Sequence, residues 1–242
     1  MGVHDQDLCR CRYDVVQAPG TVDDMDGSMD TTKARKFRSV LEIGTYTGFS
    51  ALAWYEGTRS TKSEIVTIDL PGHVLEQTKD FFKEMGADDR IRVMEGSGNQ
   101  ELPKLSGEFE LIFLDADKHN QRNYINIILE KRLLDPKGVI LVDNSEYINE
   151  LALRNTANVR TNPVFSRGLT MGNEFNPHLD KTTRPLWEAH GEALREFNKF
   201  LIDDPRIDVL MLPLFDGVTQ IQWNLEYLQT LENERSRGST GV

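Results

Sequence analysis

Residues 40–50 read VLEIGTYTGFS. A short, mostly apolar run ends at Ile43, glycines stand at 44 and 48, and a helical pattern begins at Phe49. Strand, glycine turn and helix open a βαβ unit, whose turn lets backbone approach a ligand closely at the strand's carboxyl end. The spacing is G-x-x-x-G, not the G-x-G-x-x-G of a pyrophosphate-cradling turn. Glu42 does not fit a plain strand. It interrupts the apolar run, and an unpaired carboxylate is expensive to bury. It is expected to hold a loop amide or a ligand amine.

Outward from this unit the pattern repeats. SVLEI, EIVTID, IRVM, LIFLD and GVILVD are short apolar runs rich in β-branched residues. Between them lie FSALAWYEG, VLEQTKDFFKEMG and QRNYINIILEKRLL, with apolar residues three and four apart. Strand alternating with helix predicts an α/β fold with right-handed crossovers and a mostly parallel sheet. Towards the C-terminus, PLWEAHGEALREFNKFLIDD reads as a helix with Pro185 in its first turn. RIDVLMLPLFDGVTQIQW then reads as two strands around Asp216-Gly217, so the sheet is expected to end in an antiparallel hairpin strand. The predicted organisation is an N-terminal arm over 1–36, one domain over 37–228 and a polar tail over 229–242. Within the domain, 151–184 lacks a period and reads as a long substrate-side loop. Its apolar residues, Phe165 and Phe175 among them, are expected either to form a wall that packs on an aromatic ring or to bury against a partner subunit.

Composition excludes several classes. The 242 residues carry a formal charge of −11 and no basic stripe, which disfavours nucleic acid as a partner. No apolar run approaches the roughly 18 residues of a membrane span, and the N-terminus lacks an apolar signal core. Cys9 and Cys11 are too few for a zinc site, and free thiols in a reducing, cytoplasmic compartment are expected.

The chemistry gathers at strand ends, where ligands of open α/β sheets bind. Asp69 closes the strand after the glycine turn, placed to accept both hydroxyls of a ribose. Without a pyrophosphate turn, this suits a nucleoside cofactor such as S-adenosylmethionine. Ser97 and Gly98, in GSGN after the next strand, form either a plain turn or a thin wall for an adenine. Asp115 ends LIFLD, and Asp143 with Asn144 ends GVILVDN. On neighbouring strands roughly 5 Å apart, two carboxylates and an amide oxygen are hard ligands for Mg²⁺, Ca²⁺ or Mn²⁺. Alternatively, each Asp caps the turn that follows. Lys118 is either a base near such a cation or an ammonium paired with Asp117.

The stretches VLEIGTYTGFSALA, DADKHN, GVILVDN and DPRIDVLMLPLFDGVTQ stand in an order that resembles the cation-dependent O-methyltransferases of the catechol and caffeoyl-coenzyme A type. The resemblance covers roughly residues 38–225. It implies a Rossmann-like S-adenosylmethionine-dependent methyltransferase fold: a mostly parallel seven-stranded sheet with helices on both faces. It implies cofactor contacts from Glu42, Gly44, Thr45, Tyr46, Gly48, Ser50, Asp69, Leu70, Ser97, Gly98, Asp115, Asp117 and Tyr124. It further implies a divalent cation, Mg²⁺ first, on Asp115, Asp143 and Asn144, and catalysis by Lys118 as general base with Asp115. The implied acceptor is a small aryl diol: a catechol, hydroxycinnamate or flavonoid. A homodimer is implied as well. The sequence departs from the family pattern in its short acidic arm and in Gln121, which follows Asn120 where a tyrosine is usual. Competing readings are a nicotinamide-dependent oxidoreductase, opposed by the missing G-x-G-x-x-G, and a non-catalytic cofactor-binding relative, opposed by the intact Asp115, Lys118, Asp143 and Asn144.

Overall fold

A computed structural model describes residues 36–143, 184–212 and 217–238. Seven strands form one sheet: β1 Ser39–Ile43, β2 Glu64–Asp69, β3 Ile91–Glu95, β4 Phe109–Leu114, β5 Leu134–Asp143, β6 Ile207–Leu212 and β7 Val218–Trp223, in the order β3-β2-β1-β4-β5-β7-β6. The helices are α1 Phe49–Gly57, α2 His73–Glu84, α3 Gly98–Glu101, α4 Gln121–Glu130, α5 Arg184–Asp203 and α6 Leu225–Gly238. Among the described residues, none of the helices is long and apolar enough to cross a membrane.

The described residues fall into two compact units. One runs to Leu114 and includes Ile127–Gly138; the other comprises Asp115–Asn126 and the residues from Val139 onward.

In the first unit β1 pairs in parallel with β2 and with β4, and β2 with β3. A central parallel strand is covered on both faces, which is why VLEI reads as an almost unbroken apolar run. Val40, Leu41, Ile43, Ile65, Ile68, Leu111, Ile112 and Leu114 are buried. Trp54 of α1 is fully buried, its ring tilted against Phe113 with centroids 5.4 Å apart. Truncating such an aromatic costs about 3–5 kcal/mol. At the other end of these strands Arg90 ties three segments together. Its guanidinium donates to the carbonyls of Tyr55 and Ser63 and stacks 3.9 Å over the Tyr55 ring.

In the second unit β7 runs antiparallel to both β5 and β6. The hairpin is as expected, but its last strand is not the edge of the sheet. β7 inserts between β5 and β6, because its alternating Thr219, Ile221 and Trp223 are buried while β6 keeps an exposed Leu210. Arg206 closes the other end of this unit. Its guanidinium grips Asp204 through Nε and Nη2 and donates to Asn126 Oδ1 at 2.9 Å. The backbone of α6 runs through much of 229–242, the stretch read as a tail; Leu, Gln, Glu and Arg are good helix formers even after apolar periodicity fades. The arm over 1–35, the stretch 144–183 and Asn144 within it lie outside the described residues.

Candidate cofactor cradle and acidic strand ends

The first unit holds the glycine turn. Glu42, fully buried on β1, lies in register with Thr67 of β2. Thr67 Oγ1 donates to Glu42 Oε2 at 2.6 Å, and Trp54 Nε1 donates to Oε1 at 3.2 Å. The Thr45 hydroxyl lies 2.6 Å from that of Thr67. The acid in the apolar run is therefore held from the neighbouring strand and from α1. Thr45 turns its hydroxyl inward to the same cluster. Trp54 and Thr67 went unassigned in the sequence. The visible signal was a threonine inside the apolar run EIVTID; that it pairs with Glu42 is a matter of register, seen only in the structure.

Asp69 ends β2 with each oxygen fixed by a backbone amide: Tyr46 N–H donates to Oδ2 at 2.6 Å and Leu70 N–H to Oδ1 at 2.7 Å. Each carboxylate oxygen has a second acceptor direction, so Asp69 is held in one orientation with capacity for two further donors. Tyr46 adopts a left-handed backbone, φ 46°, and its side chain is largely exposed, as is that of Leu70. A left-handed non-glycine residue stores strain of order 1–3 kcal/mol, which here aims an N–H at the acid.

Gly44 continues β1 with its N–H on the Ile68 carbonyl, 2.9 Å away. Gly48, φ 77°, has a packing reason to lack a side chain: a Cβ there would lie 2.5 Å from Phe82 Cζ and 2.6 Å from Thr78 Cγ2. Its closest neighbours are thus side chains of α2. Ser50 is buried in the first turn of α1. Ser97 and Gly98 begin the single turn of α3 beyond β3, where Ser97 N–H points to Gln100 Oε1 at 3.4 Å.

The second unit holds the acidic strand ends. Lys118 Nζ donates to the Asp143 backbone carbonyl at 3.2 Å and lies 3.8 Å from Asp115 Oδ1. One ammonium therefore touches the residue after β4 and the last residue of β5. Asp143 is buried and the Asp115 and Lys118 side chains are largely so. Asp117 points elsewhere. Its carboxylate accepts from Asn120 N–H at 3.0 Å, from Asn120 Nδ2 at 2.7 Å and from Tyr124 Oη at 2.6 Å. Burial, reinforced by the bond to Asp117, holds the Tyr124 phenol protonated well above the usual tyrosine range. The DADK segment thus divides: Asp115 joins Lys118 and the end of β5, and Asp117 joins α4. The suggested pairing of Lys118 with Asp117 gives way to one with Asp115. Among the described residues, no group of three or more His, Cys, Asp or Glu side chains forms a cation site.

Known proteins align with this framework. The O-methyltransferase family matches residues 30–223. O-methyltransferase hkm8 of Aspergillus hancockii is 36% identical over 214 residues, spanning 88% of this chain and 83% of that protein. Caffeoyl-CoA O-methyltransferase of Medicago sativa is 30% identical over 191 residues, 75% of this chain and 65% of the relative. The crystal structure of the SAH-bound Podospora anserina methyltransferase PaMTH1 is 36% identical, with a TM-score of 0.66 over 93% of this chain and 97% of that one. By the extent of the family match and the identity to these relatives, the chain belongs to the O-methyltransferase family.

Proposed function

We propose that the protein is an S-adenosylmethionine-dependent, divalent-cation-dependent O-methyltransferase acting on one hydroxyl of a vicinal dihydroxyaryl molecule. The observation that carries this is the contact of Lys118 with both Asp115 and the end of β5. Lys118 reaches the carboxylate of one acid and the backbone carbonyl of the other, which supports a reading in which the two acids and the base share a site.

S-adenosylmethionine supplies an electrophilic methyl group on a sulfonium. Asp69 suits its ribose hydroxyls, since two backbone amides orient the carboxylate and leave acceptor capacity. The PaMTH1 structure, described as SAH-bound, supports the same cofactor class. Asp115 and Asp143 are hard oxygen donors of the kind that suits Mg²⁺, Ca²⁺ or Mn²⁺, with Asn144 as the third. A divalent cation held there would supply positive charge that favours ionisation of an acceptor hydroxyl. Lys118 is assigned the proton of the acceptor hydroxyl: it is an ammonium beside Asp115 here, and the charge of a cation on that acid would favour its neutral, proton-accepting form. The Medicago sativa relative, named for caffeoyl-CoA, supports an aryl acceptor.

The test is methylation of a catechol by the purified protein, with and without a chelator, beside its mono-hydroxy analogue. Turnover of the diol that stops in chelator and returns with Mg²⁺ is expected, with the mono-hydroxy compound far slower. Equal rates for the two acceptors, or full activity in chelator, would refute bidentate binding to a cation.

A further inference from the structure

Tyr46 is gripped by both of its backbone groups. Its N–H donates to Asp69 Oδ2 at 2.6 Å, and its carbonyl accepts from Thr78 Oγ1 at 3.0 Å. Its backbone is left-handed, φ 46°, and its ring is largely exposed. A bulky residue keeps such a backbone only where its surroundings over-determine it. An exposed ring supplies little packing, so the hold falls to the two backbone groups. One of them leads to the acid at the end of β2 and the other to α2.

Thr78 is fitted to this hold. It is buried on α2, on the same side of the helix as Leu75 and Phe82. Its methyl packs against the turn: a Cβ on Gly48 would stand 2.6 Å from Thr78 Cγ2. Its hydroxyl lies 3.0 Å from the Tyr46 carbonyl and 2.9 Å from the Val74 carbonyl, one helical turn back. A helix already meets a carbonyl four residues back with an amide N–H. The single hydroxyl proton therefore has its greater effect at Tyr46. Thr78 thus joins α2 to the glycine turn at two points, by its methyl and by its hydroxyl.

We propose that Thr78 is a positioning residue for the cofactor's ribose. By holding the Tyr46 carbonyl it keeps the Tyr46 N–H on Asp69 Oδ2, and with Leu70 N–H on Oδ1 this fixes the plane of the carboxylate. The proposal rests on the assignment of Asp69 to the ribose above. A carboxylate free to turn can follow one hydroxyl, but two adjacent hydroxyls need both oxygens in set places at once. Thr78 acts without touching the ligand. Its effect belongs to the pair of hydroxyls rather than to the nucleoside as a whole.

The experiment is calorimetric titration of the purified protein with S-adenosylhomocysteine and with its 2′-deoxyribose analogue. Wild type is expected to bind the analogue roughly 10- to 100-fold more weakly, the loss of one hydrogen bond to a charged acceptor. Thr78→Val removes the hydroxyl and keeps the methyl beside Gly48. It should bind S-adenosylhomocysteine about 3- to 10-fold more weakly than wild type and the analogue nearly as well as wild type, so the preference shrinks. Thr78→Ser should restore the wild-type preference. A wild-type ratio in Thr78→Val, whether both ligands bind as before or both weaken alike, overturns the proposal. So does a Thr78→Ser that behaves like Thr78→Val. If Thr78→Val does not fold, Thr78→Ala decides: an unchanged ratio there overturns the proposal. Equal binding of both ligands by wild type takes Asp69 away from the ribose and this proposal with it, and leaves the cofactor reading standing. If neither ligand binds wild type, the cofactor reading falls as well.

Discussion

The Tyr124 phenol donates a 2.6 Å hydrogen bond to Asp117 Oδ2, while Oδ1 of the same carboxylate accepts both N–H groups of Asn120. Asp117 is thereby held on both oxygens from its own turn and helix. The arrangement has an alkaline signature. Burial, then the bond to Asp117, raises the Tyr124 pKa. A raised folded pKa contributes stability that is complete below the unfolded value, about 10, and is lost as pH rises beyond it. Urea denaturation of wild type should weaken between about pH 9 and 11, and Tyr124→Phe should lack this component. Parallel pH dependence in the two proteins would contradict it.

Asp204 gives the opposite slope. Burial pushes its carboxyl up, but the hydrogen bonds and charge of Arg206 prevail and hold it below the usual range. A lowered folded pKa contributes stability that is present above the unfolded value, about 3.9, and is lost as pH falls through the folded value. Asp204→Asn should therefore be destabilised at pH 7, and the gap to wild type should close below about pH 4. A gap that is constant down to pH 3 in chemical denaturation would count against the Arg206 grip as its source.

Gly48→Ala should lower the melting temperature, by an amount equivalent to roughly 1–3 kcal/mol. Two costs combine there: a left-handed backbone at φ 77° and a Cβ pressed against Phe82 and Thr78. Introduced into Phe82→Leu, Gly48→Ala should cost less than it does in wild type, since the tighter contact is then gone. An equal cost in the two backgrounds would assign it to the backbone alone.

On the proposed function, Asp143→Ala should abolish methyl transfer while S-adenosylhomocysteine binding persists, because Asp143 is assigned to the cation and Asp69 to the cofactor. Asp69→Ala should do the reverse to binding, weakening it by at least 10-fold, as expected for losing hydrogen bonds to a charged acceptor. Titration calorimetry beside a turnover assay separates the two, and loss of binding in both variants would defeat the division of roles.

The strands and helices were legible because the period changed cleanly along the chain. VLEI, IVTI and LIFL are buried on both faces, as central parallel strands must be, and mostly apolar, and α2 keeps Leu75, Thr78 and Phe82 on one buried side. The acids at strand ends were legible because charge is conspicuous after an apolar run. Partners were not. That Trp54 and Thr67 hold Glu42 depends on a helix crossing and a register, which no local pattern encodes. The place of β7 between β5 and β6 was hidden for the same reason: a hairpin fixes which strands are adjacent in sequence, not which of them faces the rest of the sheet.

The hydroxyls beneath the glycine turn have a fixed direction. Thr67 spends its single proton on Glu42 Oε2, so in the 2.6 Å contact between the threonines Thr45 must be the donor. Proton order then runs one way, from the turn down into the buried acid, and Thr45 Oγ1 has no hydrogen left to offer. Thr45→Val would remove this last donor of the chain with almost no change of shape, and Thr45→Ser would keep it.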